Sequence, residues 1–192
     1  MISEEAFLAA RDEIAEFVKE NCIHHAKPPM LGKAPGTRYT SQFYFAALTH
    51  NGRMLNNICE TFQYLTTINQ LSKEKFQVAG YHWSSLPILG ALSAFYRGDL
   101  NAFSIRRERK EYGLHNIIEG KPNNLPVLLI DDLANSTNSF TRSQQILVDS
   151  GIPVLDTCFA IMNKKNQTDD QFLWDRYSDQ KIISIISRDM IL

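Results

Sequence analysis

Apolar positions in the opening segment recur near helical spacing: after Ser3 and the acidic pair Glu4-Glu5 come Phe7, Leu8, Ile14, Phe17 and Val18. Carboxylates in a first helical turn face unpaired backbone N–H groups, so this stretch predicts an amphipathic opening helix. From Lys27 to Thr40 the residues Pro28, Pro29, Gly32, Pro35 and Gly36 predict a break in regular structure, and Phe43-Tyr44-Phe45 then reads as a strand. Further on, strand-like apolar runs alternate with turns of small residues and helix-like patterns. Phe76 to Gly80 leads into Leu86 to Tyr96, and Leu125 to Ile130 leads through a polar loop into Phe140 to Val148. Gly151 and Pro153 close that helix, Val154 to Met162 is the next strand, and Lys181 to Ser187 the last. Successive βα units with uninterrupted apolar strands, such as Val127-Leu128-Leu129-Ile130, predict an α/β fold: a mainly parallel sheet buried on both faces between helices.

A length of 192 residues with 44% apolar content suits one well-buried domain, and neither a repeat nor a low-complexity segment divides it. The balance of 20 basic against 21 acidic residues supplies no general field toward nucleic acid or an anionic membrane, so any anion site must be local. Cys22, Cys59 and Cys158 lie far apart without metal or redox spacing and read as reduced core thiols. Met-Ile-Ser-Glu-Glu shows no basic segment followed by an apolar run, and no stretch approaches the roughly 20 apolar residues of a spanning helix. The expected compartment is the cytoplasm, with neither nucleic acid nor membrane as partner. His24, His25, His50, His82 and His115 lack metal-ligand spacing and are expected in surface or packing roles.

Candidate chemistry concentrates after the apolar strand that ends in Asp131-Asp132 and continues as Ala134-Asn135-Ser136-Thr137-Asn138-Ser139. Open α/β sheets bind ligands at the carboxyl ends of their strands. A helix beginning near Ser139 would point its free N–H groups at a phosphate, leaving the aspartates for sugar hydroxyls or a hydrated cation. The alternative is an Asx turn that merely caps the helix. Upstream, Arg106-Arg107-Glu108-Arg109-Lys110-Glu111-Tyr112-Gly113 packs four cations into five positions and runs on to Ile118-Glu119-Gly120. By itself such a run is usually a solvated face. Its place in the chain, ahead of a strand, an acidic loop and a helix, favours a pyrophosphate-gripping loop.

These residues resemble the orotate phosphoribosyltransferases of the type I phosphoribosyltransferase family. The basic run is similar to the family's loop Arg-Lys-Glu-x-Lys-x-(His/Tyr)-Gly, with Ile118-Glu119-Gly120 at the loop's end. Val127 to Ser139 resembles its phosphoribosyl pyrophosphate motif. Gly80-Tyr81-His82-Trp83-Ser84-Ser85-Leu86-Pro87 resembles its short pyrophosphate loop, and Ser41-Gln42-Phe43-Tyr44-Phe45 a segment of its hood. The resemblance covers roughly Lys33 to Met162. It implies a type I fold with a small N-terminal hood within about residues 1–65. It also implies transfer of phosphoribose to a pyrimidine ring nitrogen, orotate first, giving a nucleoside 5′-monophosphate and pyrophosphate. Asp131 and Asp132 would bind the ribose hydroxyls, and Asn135, Ser136, Thr137, Asn138 and Ser139 the 5′-phosphate. Arg106, Arg107, Lys110, Tyr112, Ser84 and Ser85 would meet the pyrophosphate, with Lys110, Asp131 and Asp132 catalytic, and Tyr44, Phe45 and Lys164 would face the base. Mg2+ is implied mainly through the substrate, with Asp131 and Asp132 reached through water, as is a homodimer whose basic loops enter each other's sites.

Five positions depart from the family pattern; one is Asn138, which stands where another small residue is common and which tolerates the left-handed region. Thr137 replaces a glycine of the phosphate loop, where a β-branched residue resists positive φ and its methyl crowds an anion. A loop shifted as in xanthine phosphoribosyltransferases, which Asp131-Asp132-Leu133-Ala134-Asn135-Ser136 also resembles, avoids that clash. Ser85 replaces another glycine. Asn163-Lys164 stands where Asp-Arg is expected, keeping charge without the bidentate fork. Two readings stay open: an active transferase for orotate or another base such as xanthine, and an altered protein of the same fold that senses nucleotide or phosphoribosyl pyrophosphate.

Overall fold

The computed structural model describes residues 2–31, 38–73, 75–108, 116–134, 138–164 and 181–191. Helix α1 spans Glu4–Asn21, capped by Ser3, whose hydroxyl accepts from the Ala6 amide at 3.1 Å. Phe7, Ile14 and Val18 turn inward as their spacing predicts, while Leu8 remains exposed. The chain then departs from its sequence-based expectation. Strands β1 (Ile23–Leu31) and β2 (Arg38–Phe43) form an antiparallel ribbon through part of the proline-rich stretch. Pro28 and Pro29 fall where the register shifts between His25 and Met30, and a two-stranded ribbon is all edge, so the missing N–H groups cost little pairing. The strand also stops at Phe43: Phe45 takes the helical region and opens the short helix α2 (Ala46–Thr49).

Helix α3 (Gly52–Ile68) was not foreseen, although its signals are plain once seen. The Asn51 side chain accepts from the Arg53 and Met54 amides at 3.0 and 3.2 Å, and Met54, Ile58, Phe62 and Leu65 make its buried stripe. It packs along α1, where Phe7 stacks on Tyr64 at 4.4 Å and Glu13 receives Arg53 at 2.6 Å and Asn57 at 3.0 Å.

Strand β3 (Gln77–Tyr81) passes directly into α4 (His82–Phe95), followed by β4 (Ala102–Ile105), β5 (Ile118–Glu119) and β6 (Val127–Ala134). Helix α5 (Asn138–Asp149), β7 (Val154–Asn163) and β8 (Lys181–Ser187) complete the described order. The main sheet runs β5-β4-β3-β6-β7-β8, every pair parallel except β4 with β5. Helices α1, α3 and α4 share one core, to which β6 contributes Leu128 and Ile130; α5 covers a second, to which β6 contributes Val127 and Leu129. Burial on both faces explains why this strand reads as an unbroken apolar run.

The connection into β6 is fixed from below by Gln77, which has no exposed surface. Its amide donates to the Asn123 and Leu125 carbonyls at 2.9 and 2.6 Å. Its oxygen accepts from Asn101 Nδ2 at 2.8 Å and the Asn123 amide at 3.0 Å. Both polar atoms of this amide are thus satisfied, as burial requires.

Candidate active site

The chain passes from β3 outward to β4 and then returns to β6 on the other side of β3, so the topological switch point lies between β3 and β6. Crevices at such points, outside the carboxyl ends of the strands, are where open α/β sheets hold ligands. Gly80 pairs with Ile130 on one side and Ser104 on the other, which puts Tyr81, Asp131 and Ile105 in one row at that edge. Ser84 follows Tyr81 in the first turn of α4, Arg106 and Arg107 follow Ile105, and Asp132 follows Asp131. Residues from three separate motifs are therefore gathered at one end of the sheet.

Asp131 is 6% exposed. Its Oδ1 accepts from the Asp132 amide at 2.9 Å and from Ser84 Oγ at 3.3 Å, and its Oδ2 accepts from Ser139 Oγ at 2.7 Å. Burial first, and the neighbouring Asp132 charge second, push its carboxyl up to about 8, against the lowering effect of Ser139. Its surroundings thus favour the protonated form. Asp132 is half-buried, and its Oδ1 accepts from the Leu133 amide at 2.8 Å.

The turn from β3 into α4 is tight. His82 adopts φ +67°, unusual for a residue with a side chain, and its Nδ1 accepts from the Trp83 amide at 2.7 Å, doing the work of a cap. Ser85 is fully buried, and its hydroxyl donates to the His82 carbonyl at 3.0 Å. Its hydroxyl is thus closed off from the pyrophosphate expected there, which leaves Ser85 only its backbone to offer. A Cβ on Gly80 would lie 2.3 Å from both Cβ and Oγ of Ser85, so the serine at the departing position occupies space that Gly80 leaves open. Glycine at one place and serine at the other form a single packing unit.

Arg106 is only partly exposed and donates to Glu119 at 3.2 Å, while its amide donates to the Ile117 carbonyl at 2.8 Å, closing the base of the basic loop against β5. Its Nε is buried without a hydrogen-bond partner. Arg107 is exposed, and its carbonyl accepts from Arg142 of α5 at 3.0 Å, a tether the sequence did not signal. Lys110 and Tyr112 of this loop, like Asn135, Ser136 and Thr137 of the phosphate loop, lie outside the described residues. Asn138 is exposed at the start of α5, with Ser139 beside it turned to Asp131.

Of the residues expected at the base, Tyr44 is 59% exposed, but Phe45 is 3% exposed and packs in the larger core. This corrects the expectation for Phe45, whose ring serves the core as α2 begins. Lys164 is half-buried just past β7, its amide bonded to the Ala134 carbonyl at 3.0 Å, on the same carboxyl edge as Asp131.

The described residues contain no group of three or more His, Cys, Asp or Glu able to hold a metal ion, and none of their helices is long and apolar enough to cross a membrane. Solved structures share this arrangement. The Mycobacterium tuberculosis orotate phosphoribosyltransferase, solved with Fe(III) dicitrate, superposes with a TM-score of 0.73 at 18% identity, over 95% of this chain and 98% of that one. The fold is that of a type I phosphoribosyltransferase. The same mycobacterial enzyme in complex with 5-phospho-alpha-D-ribosyl 1-diphosphate matches with a TM-score of 0.68 at 16% identity, over 96% and 92% of the two chains. In sequence, the chain is 24% identical over 166 residues to the orotate phosphoribosyltransferase of Corynebacterium glutamicum, covering 84% of each. It is 29% identical over 119 residues to the uridine 5′-monophosphate synthase of Naegleria gruberi, covering 60% of this chain and 24% of that longer protein. No protein-family model matches the chain.

Proposed function

We propose that this protein is a phosphoribosyltransferase that uses phosphoribosyl pyrophosphate, with orotate as its first candidate base. The observation that supports this most is the meeting of Asp131, Ser84 and Ser139 at the switch point between β3 and β6, the crevice where this fold type binds ligands. The arrangement suits the chemistry. As the C1′–O bond to pyrophosphate breaks, the leaving group takes the electron pair and the sugar gains cationic character, and a deprotonated ring nitrogen of the base forms the new C1′–N bond. Arg107 and, by resemblance, Lys110 offset charge on the departing pyrophosphate, and the half-buried Asp132 faces the sugar hydroxyls. The free N–H groups opening α5 at Asn138 and Ser139 take the 5′-phosphate, together with Asn135, Ser136 and Thr137.

Asp131 and Asp132 alone are too few to hold a metal, and the oxygens of Asp131 are already engaged. This donor set would suit a Mg2+ held mainly by the substrate, with Asp132, and Asp131 where it is free to reach, contributing through water. The chemistry it would supply is charge neutralisation on the pyrophosphate. At the base end Lys164 offers a point charge to a carboxylate in place of a planar fork, which leaves room for bases other than orotate. Exposed Tyr44 is the described hood ring open to a base. A cytoplasmic homodimer with exchanged basic loops completes the proposal.

Calorimetric titration with phosphoribosyl pyrophosphate and Mg2+ tests it. Saturable heat at one site per chain is expected; absence of heat at millimolar ligand would refute the proposal.

A further inference from the structure

Among the described residues three buried side-chain polar atoms have no hydrogen-bond partner: Arg106 Nε, Ser143 Oγ and Arg188 Nε. Two of these are guanidinium nitrogens of the residues that directly follow β4 and β8, both on the carboxyl edge of the sheet. Arg106 stands where the basic loop begins. Arg188 stands toward the other side of the sheet, beyond Met162, where the resemblance stops, and no motif gives it a task. A buried N–H without an acceptor costs free energy, so such an orphan at a ligand-binding edge points to an acceptor that arrives with the ligand.

Strand register fixes where Arg188 lies. Ala134, Asn163 and Ser187 are partners across β6, β7 and β8, so the residues that follow the last two, Lys164 and Arg188, leave adjacent strands side by side. A strand spacing of about 4.8 Å puts Arg188 about 10 Å from β6, on the side away from β4 and hence from the pyrophosphate end. The chain turns at this point: the Ile191 amide donates to the Arg188 carbonyl at 2.9 Å, and buried Ile191 anchors the turn in the larger core. Lys164 and Arg188 are both half-buried, and none of the ion pairs among the described residues involves Arg188. Two half-buried cations on adjacent strands create a local field that favours an anion. Lys164 supplies charge alone, whereas a guanidinium adds a planar fork that matches a carboxylate.

We infer that Arg188 is a specificity-determining residue, whose guanidinium, beside Lys164, receives an anionic substituent on the base. The fork that Asn163-Lys164 lacks on β7 is thus supplied from β8, by a residue outside the motifs that carry the resemblance. This deepens the proposed function and rests on it for the ring to which the substituent belongs. Within that reading it selects a base that carries a carboxylate over the same ring without one.

Equilibrium dialysis of the full chain with orotidine 5′-monophosphate and uridine 5′-monophosphate, which differ only in the carboxylate, tests the inference without requiring turnover. The wild type is expected to hold the carboxylated nucleotide about thirtyfold more tightly, and Arg188→Gln to cut that preference about tenfold or more, as loss of a charge-assisted contact does. Arg188→Lys keeps the charge without the fork and should cut the preference about threefold, and it decides the question if the glutamine variant does not fold. A wild type without the preference, or a preference that survives either substitution, would overturn the assignment. Equal loss of both nucleotides would reveal a merely structural arginine and overturn it as well. Transfer is assayed separately on the same protein: if no base yields a nucleotide, the proposed function fails, and the dialysis still decides the role of Arg188.

Discussion

Asp131→Asn should change how the protein's stability depends on pH, and the sign follows from the burial of this carboxyl. An aspartate ordinarily titrates at 3.8, and in the folded chain Asp131 is pushed up to about 8, by burial and then by the Asp132 charge. Between these values the folded chain holds a proton that the unfolded chain has lost. Its contribution is fully favourable below pH 4 and is lost as pH rises through about 8. Unfolding free energy should therefore fall with a slope of about 1.4 kcal/mol per pH unit from this group, a loss of about 3 kcal/mol between pH 5 and pH 7. Asparagine stays neutral throughout and can still bond to Ser84 and Ser139, so the slope should disappear. The two proteins should be nearly equal at pH 4, and the variant more stable by pH 7. Denaturant unfolding at half-unit steps from pH 4 to pH 8 measures this. Parallel curves for the two proteins, or a variant that loses ground as pH rises, would refute the reasoning.

Gly80→Ala places a methyl 2.3 Å from Ser85 and should lower stability by about 2 kcal/mol or more, with most of the loss recovered by Ser85→Gly in the same chain; thermal unfolding of the single and double variants tests the pairing. Gln77→Leu strips four hydrogen bonds from the buried knot beneath the sheet and should cost about 3 kcal/mol, and a loss below about 1 kcal/mol in denaturant unfolding would contradict the account. Lys110→Ala should lower turnover about 100-fold while substrate affinity falls less, because the contact strengthens as charge develops on the leaving group; steady-state kinetics that show unchanged turnover would remove Lys110 from the mechanism.

The strands of the main sheet with long apolar runs were legible because burial on both faces leaves an uninterrupted hydrophobic signature; Lys181 to Ser187 was read to its ends. Strand β4 gave no such signal, being four residues long, Ala102-Phe103-Ser104-Ile105, and recognisable only from its pairing with β3. Helix α3 went unread although Asn51 and the Met54, Ile58, Phe62, Leu65 stripe mark it, because polar Asn56, Asn57, Gln63 and Thr66 interrupt the pattern. The ribbon of β1 and β2 was hidden by prolines that an edge tolerates. At the site, the acids at the end of β6 were legible from the apolar strand that precedes them. Their separate partners were not, since Ser84 lies 47 positions away and only the fold brings it to Asp131. The burial of Phe45 and Ser85 was equally invisible, because a side chain beside a motif carries no mark of which way it turns.

A protein that transfers phosphoribose to a base releases pyrophosphate and nucleoside 5′-monophosphate together, and both can be measured in one reaction. The purified protein would receive phosphoribosyl pyrophosphate and Mg2+ with orotate, then uracil, xanthine, hypoxanthine and adenine in turn. The account predicts equal amounts of the two products with at least one base, orotate first, and their loss together in Asp132→Asn. No nucleotide from any base, or pyrophosphate released without nucleotide whichever base is present, would contradict it.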